Sequence, residues 1–394
     1  MPFVKETVEM KREEFVQEAV TKQKSIAALC RKYGISRPTG YMWLNRYMNN
    51  EGFHDKSKAP FHTINKTASE VEERIVQMRL KEPAVGAVKI KRMLENAGEI
   101  TIPCASTINA ILKRNHMITQ AASRAATPYK RFEKPSPNVM WQCDFKGNYQ
   151  LGNGVRCHPL SIIDDHSRYC LCADAKTDER YDGTAESFVR TFEANGLPDV
   201  LLCDNGNPWG SSQTNGITRF EIWLMELGIL TIHIRAKHPQ AQGKVERFNR
   251  SFKAERLVFH TPDNMAEAER QRQEYRHFYN NERPHHALNL DTPAQHYRSS
   301  EKQLPSVLAK WEYADDYDTR LIKSSGYLTY KGQGYFFSEA FRNKTIAIYP
   351  SSVDGFVNLY YRQFRIGRID LRERCVVSRR VYLMKDDPRI DDDS

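Results

Sequence analysis

The chain has 394 residues, enough for two to four domains of ~100–200 residues each. Hydrophobic residues make up 40% and charged residues 27%. No run of ~18 apolar residues occurs, and the N-terminus has no apolar segment, so neither a membrane span nor a secretory leader is expected. The net charge is +10, and all of it falls in residues 1–136, which hold 24 Lys+Arg against 14 Asp+Glu; the remainder holds 35 of each. A basic arm on a neutral body points to a polyanion partner, most simply nucleic acid. The eight cysteines include no C-x-x-C pair and mostly sit in apolar runs, which suits a reduced intracellular protein better than a disulfide or zinc framework.

Residues 1–52 read as a first helical domain. Val8–Thr21 is amphipathic on Phe15, Val16 and Ala19. Ser25 can cap a second helix, Ile26–Tyr33, and Gly34 supplies a turn. Ser36 then caps a third helix with Pro38 in its first turn. The stretch SIAALCRKYGISRPTGYMWLNRY resembles a helix-turn-helix, and its recognition helix would turn Arg37, Thr39, Met42, Asn45 and Arg46 to a DNA groove. Gly40 inside that helix costs ~1 kcal/mol relative to Ala. Residues 64–118 repeat the theme more weakly. One helix runs through Val71, Ile75 and Met78, a second through Val88, Ile90 and Leu94, and a third from Ser106 to Lys113 and Arg114. Residues 119–136, with Lys130 and Arg131, form a basic Ala/Ser/Pro-rich linker that can track a phosphate backbone while extended.

Residues 137–298 read as α/β. Three strands (Val139–Tyr149, Cys157–Asp165, Arg168–Ala175) precede a helix, Tyr181–Asn195. A short buried strand Val200–Cys203, a helix Arg219–Leu227, a strand Leu230–Ile234, and helices from Gly243 to about Val258 and from Met265 to Tyr279 follow. Three antiparallel strands followed by strand–helix alternation is the order of an RNase H-like fold. Residues 311–385 hold six short strands with glycine turns, from which a small C-terminal β-barrel is expected. An acidic tail, KDDPRIDDDS, ends the chain and is expected to be disordered.

Three carboxylates stand out. Asp144 lies mid-strand in VMWQCDFKG, where an unpaired carboxylate is costly. Asp204 ends the apolar strand VLLC, at the strand edge where α/β sheets bind ligands. Glu246 lies one turn into the helix of HPQAQGKVERFNRSFKAE. Singly, each has an ordinary reading, as a sheet ion-pair partner, a turn former and a first-turn helix acid. Together they can converge as hard oxygen ligands for two Mg²⁺ or Mn²⁺ ions, the arrangement that supports in-line phosphoryl displacement without a nucleophilic side chain. At 100° per residue, Glu246, Asn249, Arg250 and Lys253 share an arc of about 100°, while Val245, Phe248 and Phe252 pack the helix on the sheet. Asp165–Arg168 reads as a hairpin turn held by side-chain bonds, Trp141 as core, and Arg283–His286 as either packing or a DNA contact.

With WQCDFKG, IIDDHSRY, CDNG, HPQAQGKVERFNRSFKAE and YNNERPHHALNLDTPAQHY in this order over about 160 residues, the chain resembles the DDE transposases of bacterial insertion sequences with a retroviral-integrase-type core. The resemblance implies that Asp144, Asp204 and Glu246 are catalytic and bind the metal ions. Lys253 would contact the transposon end, helped by Lys244, Asn249 and Arg250. His238, Gln242 and Gly243 would form the loop before the catalytic helix. It implies double-stranded DNA partners (transposon ends and target), self-association to a dimer or higher oligomer, and a cytoplasmic bacterial location. Two departures are visible. Asp204 and Glu246 are separated by 41 residues, where about 35 is common in the group, and the zinc-binding His/Cys domain of retroviral integrases is absent. A repressor-like descendant with a non-catalytic core is the alternative.

Overall fold

The computed structural model describes residues 7–56, 67–118, 133–145, 147–210, 216–234, 242–378 and 381–383. The chain divides into two units, Met1–Lys66 and Thr67–Ser394.

In the first unit, α1 (Val8–Val20), α2 (Ile26–Tyr33) and α3 (Arg37–Met48) close on Phe15, Val16, Ala19, Leu29, Cys30 and Trp43. Ser25 and Ser36 each accept a first-turn backbone N–H, so α2 and α3 are capped as their sequences expect, and Thr7 does the same for α1. Gly34 ends α2 in the left-handed region at φ +66°. Gly40 has a steric reason. A Cβ there would come within 2.6 Å of Cys30 Sγ and 2.9 Å of Phe15 Cζ, so the glycine lets α3 cross α1 and α2 closely.

The second unit opens with α4 (Ser69–Lys81), α5 (Ala87–Asn96) and α6 (Ala105–Arg114). Next comes a six-stranded sheet of β1 (Met140–Phe145), β2 (Tyr149–Gln150), β3 (Arg156–Asp164), β4 (Cys170–Lys176), β5 (Val200–Cys203) and β6 (Leu230–His233). β3 pairs antiparallel with β1, β2 and β4; β1, β5 and β6 run parallel. This is the topology expected of an RNase H-like core. α7 (Tyr181–Asn195) and α8 (Arg219–Glu226) pack with one face on Trp141, Cys143, Phe188, Phe192, Trp209 and Phe220. α9 (Gly243–Phe252) and α10 (Met265–Asn281) cover the other face, and α11 (Pro293–His296) follows.

Two features differ from expectation. The helices α4–α6 share one hydrophobic cluster with the core: Ile75, Ile90, Leu94 and Ile111 continue into Val245, Phe248, Phe252 and Tyr275. Arg256 forks onto Glu82 at 2.9 and 3.0 Å, and Arg92 bonds Asp291 at 2.8 Å. The C-terminal strands also do not close into a barrel among the described residues. β7 (Asp318–Leu321), β10 (Thr345–Pro350), β11 (Phe356–Tyr361), β12 (Phe364–Asp370), β13 (Cys375–Ser378) and β14 (Tyr382–Leu383) make one antiparallel sheet, while β8 (Tyr327–Tyr330) and β9 (Gln333–Phe336) form a separate hairpin. This region packs on α8 through Ile222 and Met225, and Tyr361 donates its hydroxyl to Glu226 Oε1 at 2.6 Å. All eight cysteines are free. Among the described residues no helix is long and apolar enough to cross a membrane.

Candidate active site

Asp144 sits in β1 opposite Ser161 of β3, so the two side chains share a face of the sheet. That is the face α9 covers, because Ser161 Oγ donates to Asn249 Oδ1 at 2.7 Å. Strand alternation puts Gln142 on the same face and Cys143 on the opposite one, among the aromatic core residues. β5 runs parallel beside β1, with Gln142 level with Leu202, so Asp204 leaves β5 at the level of Asp144. Both carboxylates approach the Cys143 thiol closely enough that their charges add to the burial and the Cys203 contact that raise its pKa.

Asp204 is half-buried and accepts the Gly206 N–H on Oδ1 at 2.9 Å. Its own carbonyl meets His233 Nδ1 at 2.9 Å, and His233 Nε2 bonds Glu221 Oε1 at 2.8 Å. Burial lowers the His233 pKa, but Cys203 and Glu221 outweigh it and bring the net value up to about 11. The polar loop after Asp204 is anchored by Trp209, which is 1% exposed and stacked on Phe145 with centroids 5.7 Å apart.

Glu246 is half-buried in the first turn of α9. β1 itself holds that turn in place. Gln142 Oε1 accepts the N–H groups of Lys244 and Val245 at 3.3 Å each, and Gln142 Nε2 donates to Asp165 Oδ1 at 2.8 Å. Gln242, the residue that caps α9, donates to the Cys143 carbonyl at 3.1 Å. Gln142 is a site residue that no sequence motif singles out. Its signal is a buried amide two residues before a candidate catalytic aspartate, on the same strand face. Asp164 and Asp165 are fully buried pillars of the adjoining turn. Asp164 accepts from Asn138 N and from Ser167 N and Oγ, and Asp165 Oδ2 accepts Lys134 N at 2.8 Å.

The expected DNA-contact residues divide. On α3, Arg37 and Asn45 are exposed. Thr39 is bound to Ser36 Oγ at 2.7 Å. Arg46 is half-buried, stacks on Trp43 at 4.7 Å, with Arg12 4.2 Å from the same ring, and donates to the His54 carbonyl at 3.1 Å. On α6, Lys113 and Arg114 are both exposed, and Arg114 forks onto Glu72, with Nε at 2.6 Å from Oε1. On α9, Lys244 is turned inward, its Nζ 2.5 Å from Asp165 Oδ1, and Asn249 is buried against Ser161. The expected arc therefore splits, and only Arg250 and Lys253 reach the surface. Lys253 begins a π-helical turn, Lys253–Leu257, that the 3.6-residue pattern did not foretell. The turn carries Glu255 into the interior. There it pairs with Arg283 at 2.6 Å and accepts from Tyr275 at 3.1 Å. Lys130, Arg131 and His238 lie outside the described residues.

In chemistry the three candidate carboxylates fit a hard divalent cation. Among the described residues, however, no group of three His, Cys, Asp or Glu side chains lies close enough together to hold a metal ion.

Models of known domains match most of the chain. A helix-turn-helix domain matches residues 11–61 and two integrase core domain models match residues 134–239 and 227–293. These matches, with the relatives below, support an insertion-sequence transposase with a retroviral-integrase-type core. Within that class its last domain, residues 317–376, matches the C-terminal domain of IS481 family transposases. Among curated proteins it is similar to the insertion element IS407 uncharacterized 31.7 kDa protein of Burkholderia multivorans, 28% identical over 162 residues, 41% of this chain and 55% of that one. It is also similar to the insertion element IS476 uncharacterized 39.2 kDa protein of Xanthomonas euvesicatoria, 29% identical over 163 residues, 40% of this chain and 44% of that one. The chain spans about half the length of these relatives. Among solved structures it resembles the HTLV-2 integrase catalytic core domain in complex with magnesium, with 18% identity and a TM-score of 0.33 over 42% of this chain and 99% of that one. It also resembles the simian T-cell lymphotropic virus intasome in complex with PP2A regulatory subunit B56 gamma, with 15% identity and a TM-score of 0.36 over 73% of this chain and 96% of that one.

Proposed function

We propose that this protein binds the terminal inverted repeats of its own insertion sequence through its helical units and catalyses 3′-end cleavage and strand transfer with Asp144, Asp204 and Glu246. The observation that carries the reading is the common sheet face. Asp144 and the end of β5 lie side by side there, and the first turn of α9 is tied to the same strand by Gln142. The three carboxylates would hold two Mg²⁺ or Mn²⁺ ions, which when bound would activate a water or a 3′-hydroxyl and stabilise the leaving oxygen. The chain's own part is positioning. The Gln142 amide orients the helix that carries Glu246, and the Asn249–Ser161 bond fixes that helix over β3. Arg250 and Lys253 lie on the exposed side, where they would hold DNA phosphates. Arg37, Asn45 and Lys113, exposed on α3 and α6, are the groove-facing candidates. Recognition of two ends implies a dimer or larger assembly.

The test uses purified protein, end-labelled DNA flanking the reading frame and a supercoiled target, with Mg²⁺, with chelator, and with Asp204→Asn. Metal-dependent joining of a 3′ end that Asp204→Asn abolishes while keeping end binding is expected. Joining by the mutant at wild-type rate would remove the carboxylate mechanism. Tight end binding without cleavage in any metal would make the protein a DNA-binding regulator with a structural core.

A further inference from the structure

Away from the carboxylates, a cavity of about 460 Å³ opens at the seam between the second helical unit and the core. Lys89 and Val88 line it from α5, Ser106 and Asn109 from α6, and His286 from the corner after α10; no acid is among its lining residues. The nearby acid, Glu255, is already engaged by the Arg283 guanidinium through three hydrogen bonds of 2.6–3.1 Å.

Electrostatics single this place out. Burial pushes the Lys89 pKa down to about 8, Arg283 and Arg247 push the same way, and Glu255 only partly opposes them. Burial, Lys89 and Arg247 likewise lower His286. A cation is held in a concave site where the neighbouring charges disfavour it, and a bound anion would relieve that cost. A hydroxyl, an amide and an imidazole beside it supply hydrogen-bonding groups suited to phosphate oxygens. Arg247 is exposed on α9, next to Glu246, so the positive surface runs from the seam onto the catalytic helix.

We infer that this seam seats a backbone phosphate of the transposon-end duplex, with Lys89 as its charge partner and Ser106, Asn109 and His286 around it. The inference rests on the DNA-processing function proposed above and adds to it a contact shared by the second helical unit and the core. DNA is favoured over a free anion because the cavity is open to solvent and the exposed Arg247 of α9 lies near enough for its charge to act on both Lys89 and His286.

The test measures the affinity of the full chain for the flanking-DNA duplex by fluorescence anisotropy between about 50 and 200 mM salt, where each neutralised phosphate contributes about 0.9 to the slope of log K against log salt. Lys89→Gln should lower the slope by about that one contact and Lys89→Arg should restore it. Lys310→Gln, at an exposed lysine remote from the seam, should leave the slope unchanged. Lys89→Gln should also leave the melting temperature unreduced, since the lysine it removes is held at a cost. An unchanged slope in Lys89→Gln, with wild-type duplex binding intact, overturns the seam and leaves the proposed function standing. Absence of any duplex binding by the wild-type chain overturns both. Thermal stabilisation by inorganic phosphate that Lys89→Gln abolishes, with the DNA slope untouched, would assign the cavity to a free anion and overturn the DNA contact.

Discussion

Replacing Gln142 by leucine should loosen the link between β1 and α9, the elements that carry Asp144 and Glu246, without removing any charged group. The amide is 1% exposed and makes one 2.8 Å bond to a buried carboxylate and two longer bonds to the first N–H groups of α9. A bond to a charged acceptor contributes about 1.5–3 kcal/mol and each long neutral bond about 0.5 kcal/mol, so the loss should be about 3 kcal/mol. Leucine has nearly the same volume, so little of this is a cavity term. Asp165 keeps Lys244 and the Lys134 N–H, which limits the damage to the β1–α9 link. With its tie gone, the first turn of α9 shifts, and a misplacement of about 1 Å at Glu246 costs roughly 100-fold in rate. The assay pairs single-turnover 3′-end cleavage on saturating duplex with urea unfolding and duplex affinity. The expected result is a rate loss of about 100-fold, with affinity within about twofold, because the exposed cations Arg250 and Lys253 are untouched. Cleavage at the wild-type rate, despite the measured loss of stability, would refute the view that Gln142 positions Glu246.

Gly40→Ala gains about 1 kcal/mol of helix propensity but drives a methyl into Cys30 and Phe15 at a cost of about 1–3 kcal/mol, so a net loss of up to about 2 kcal/mol is expected in urea unfolding of the first unit. Glu255→Gln leaves the Arg283 guanidinium buried without its counter-ion and should cost about 3–5 kcal/mol, read as a lowered melting temperature. Burial and the nearby Arg283 push the His285 pKa down to about 2, so this imidazole stays neutral in the folded protein. The unfolded chain takes up that proton near the ordinary value of 6.5. The His285 contribution is therefore intact above that pH and lost as pH falls from there toward 2, at about 1.4 kcal/mol per unit. Urea midpoints at pH 7 and 5 should converge for His285→Gln relative to wild type.

The order of elements was legible because each carries its own period. α7 and β5 match their expected bounds, and the helix caps Ser25 and Ser36 stand where their side chains announce them. The adjacency of Asp144 and Asp204 follows once β1 and β5 are parallel neighbours, which strand–helix alternation implies. What depends on the phase between elements was not legible. The rotation of α9 on the sheet decides that Lys244 and Asn249 turn inward while Arg250 stays out, and no local pattern encodes that rotation. The π-turn at Lys253 adds a residue to one turn and swings Glu255 inside, which a strict 3.6-residue reading places elsewhere. Arg46 and Arg114 read as free cations, but Arg46 stacks on Trp43 one turn back on its own helix and Arg114 finds Glu72 on α4, a partner only the tertiary fold supplies. Barrel closure failed as an expectation because it depends on the pairing of edge strands, and short strands with glycine turns do not specify it.

The apolar cluster that runs from Ile75 and Ile111 into Phe248 and Tyr275 bears on how such a chain can be recombined. A DNA-reading module joined by a tether can be exchanged like a cassette, and the enzyme keeps working with new specificity. The helices α4–α6 are not of that kind, because their inner faces are also part of the wall behind α9. Excising residues 67–118 would uncover Val245, Phe248 and Phe252 on the very helix that carries Glu246, turning a change of specificity into a loss of solubility. Grafts that alter end recognition should therefore keep Ile75, Ile90, Leu94 and Ile111 and vary only the outward residues of α6.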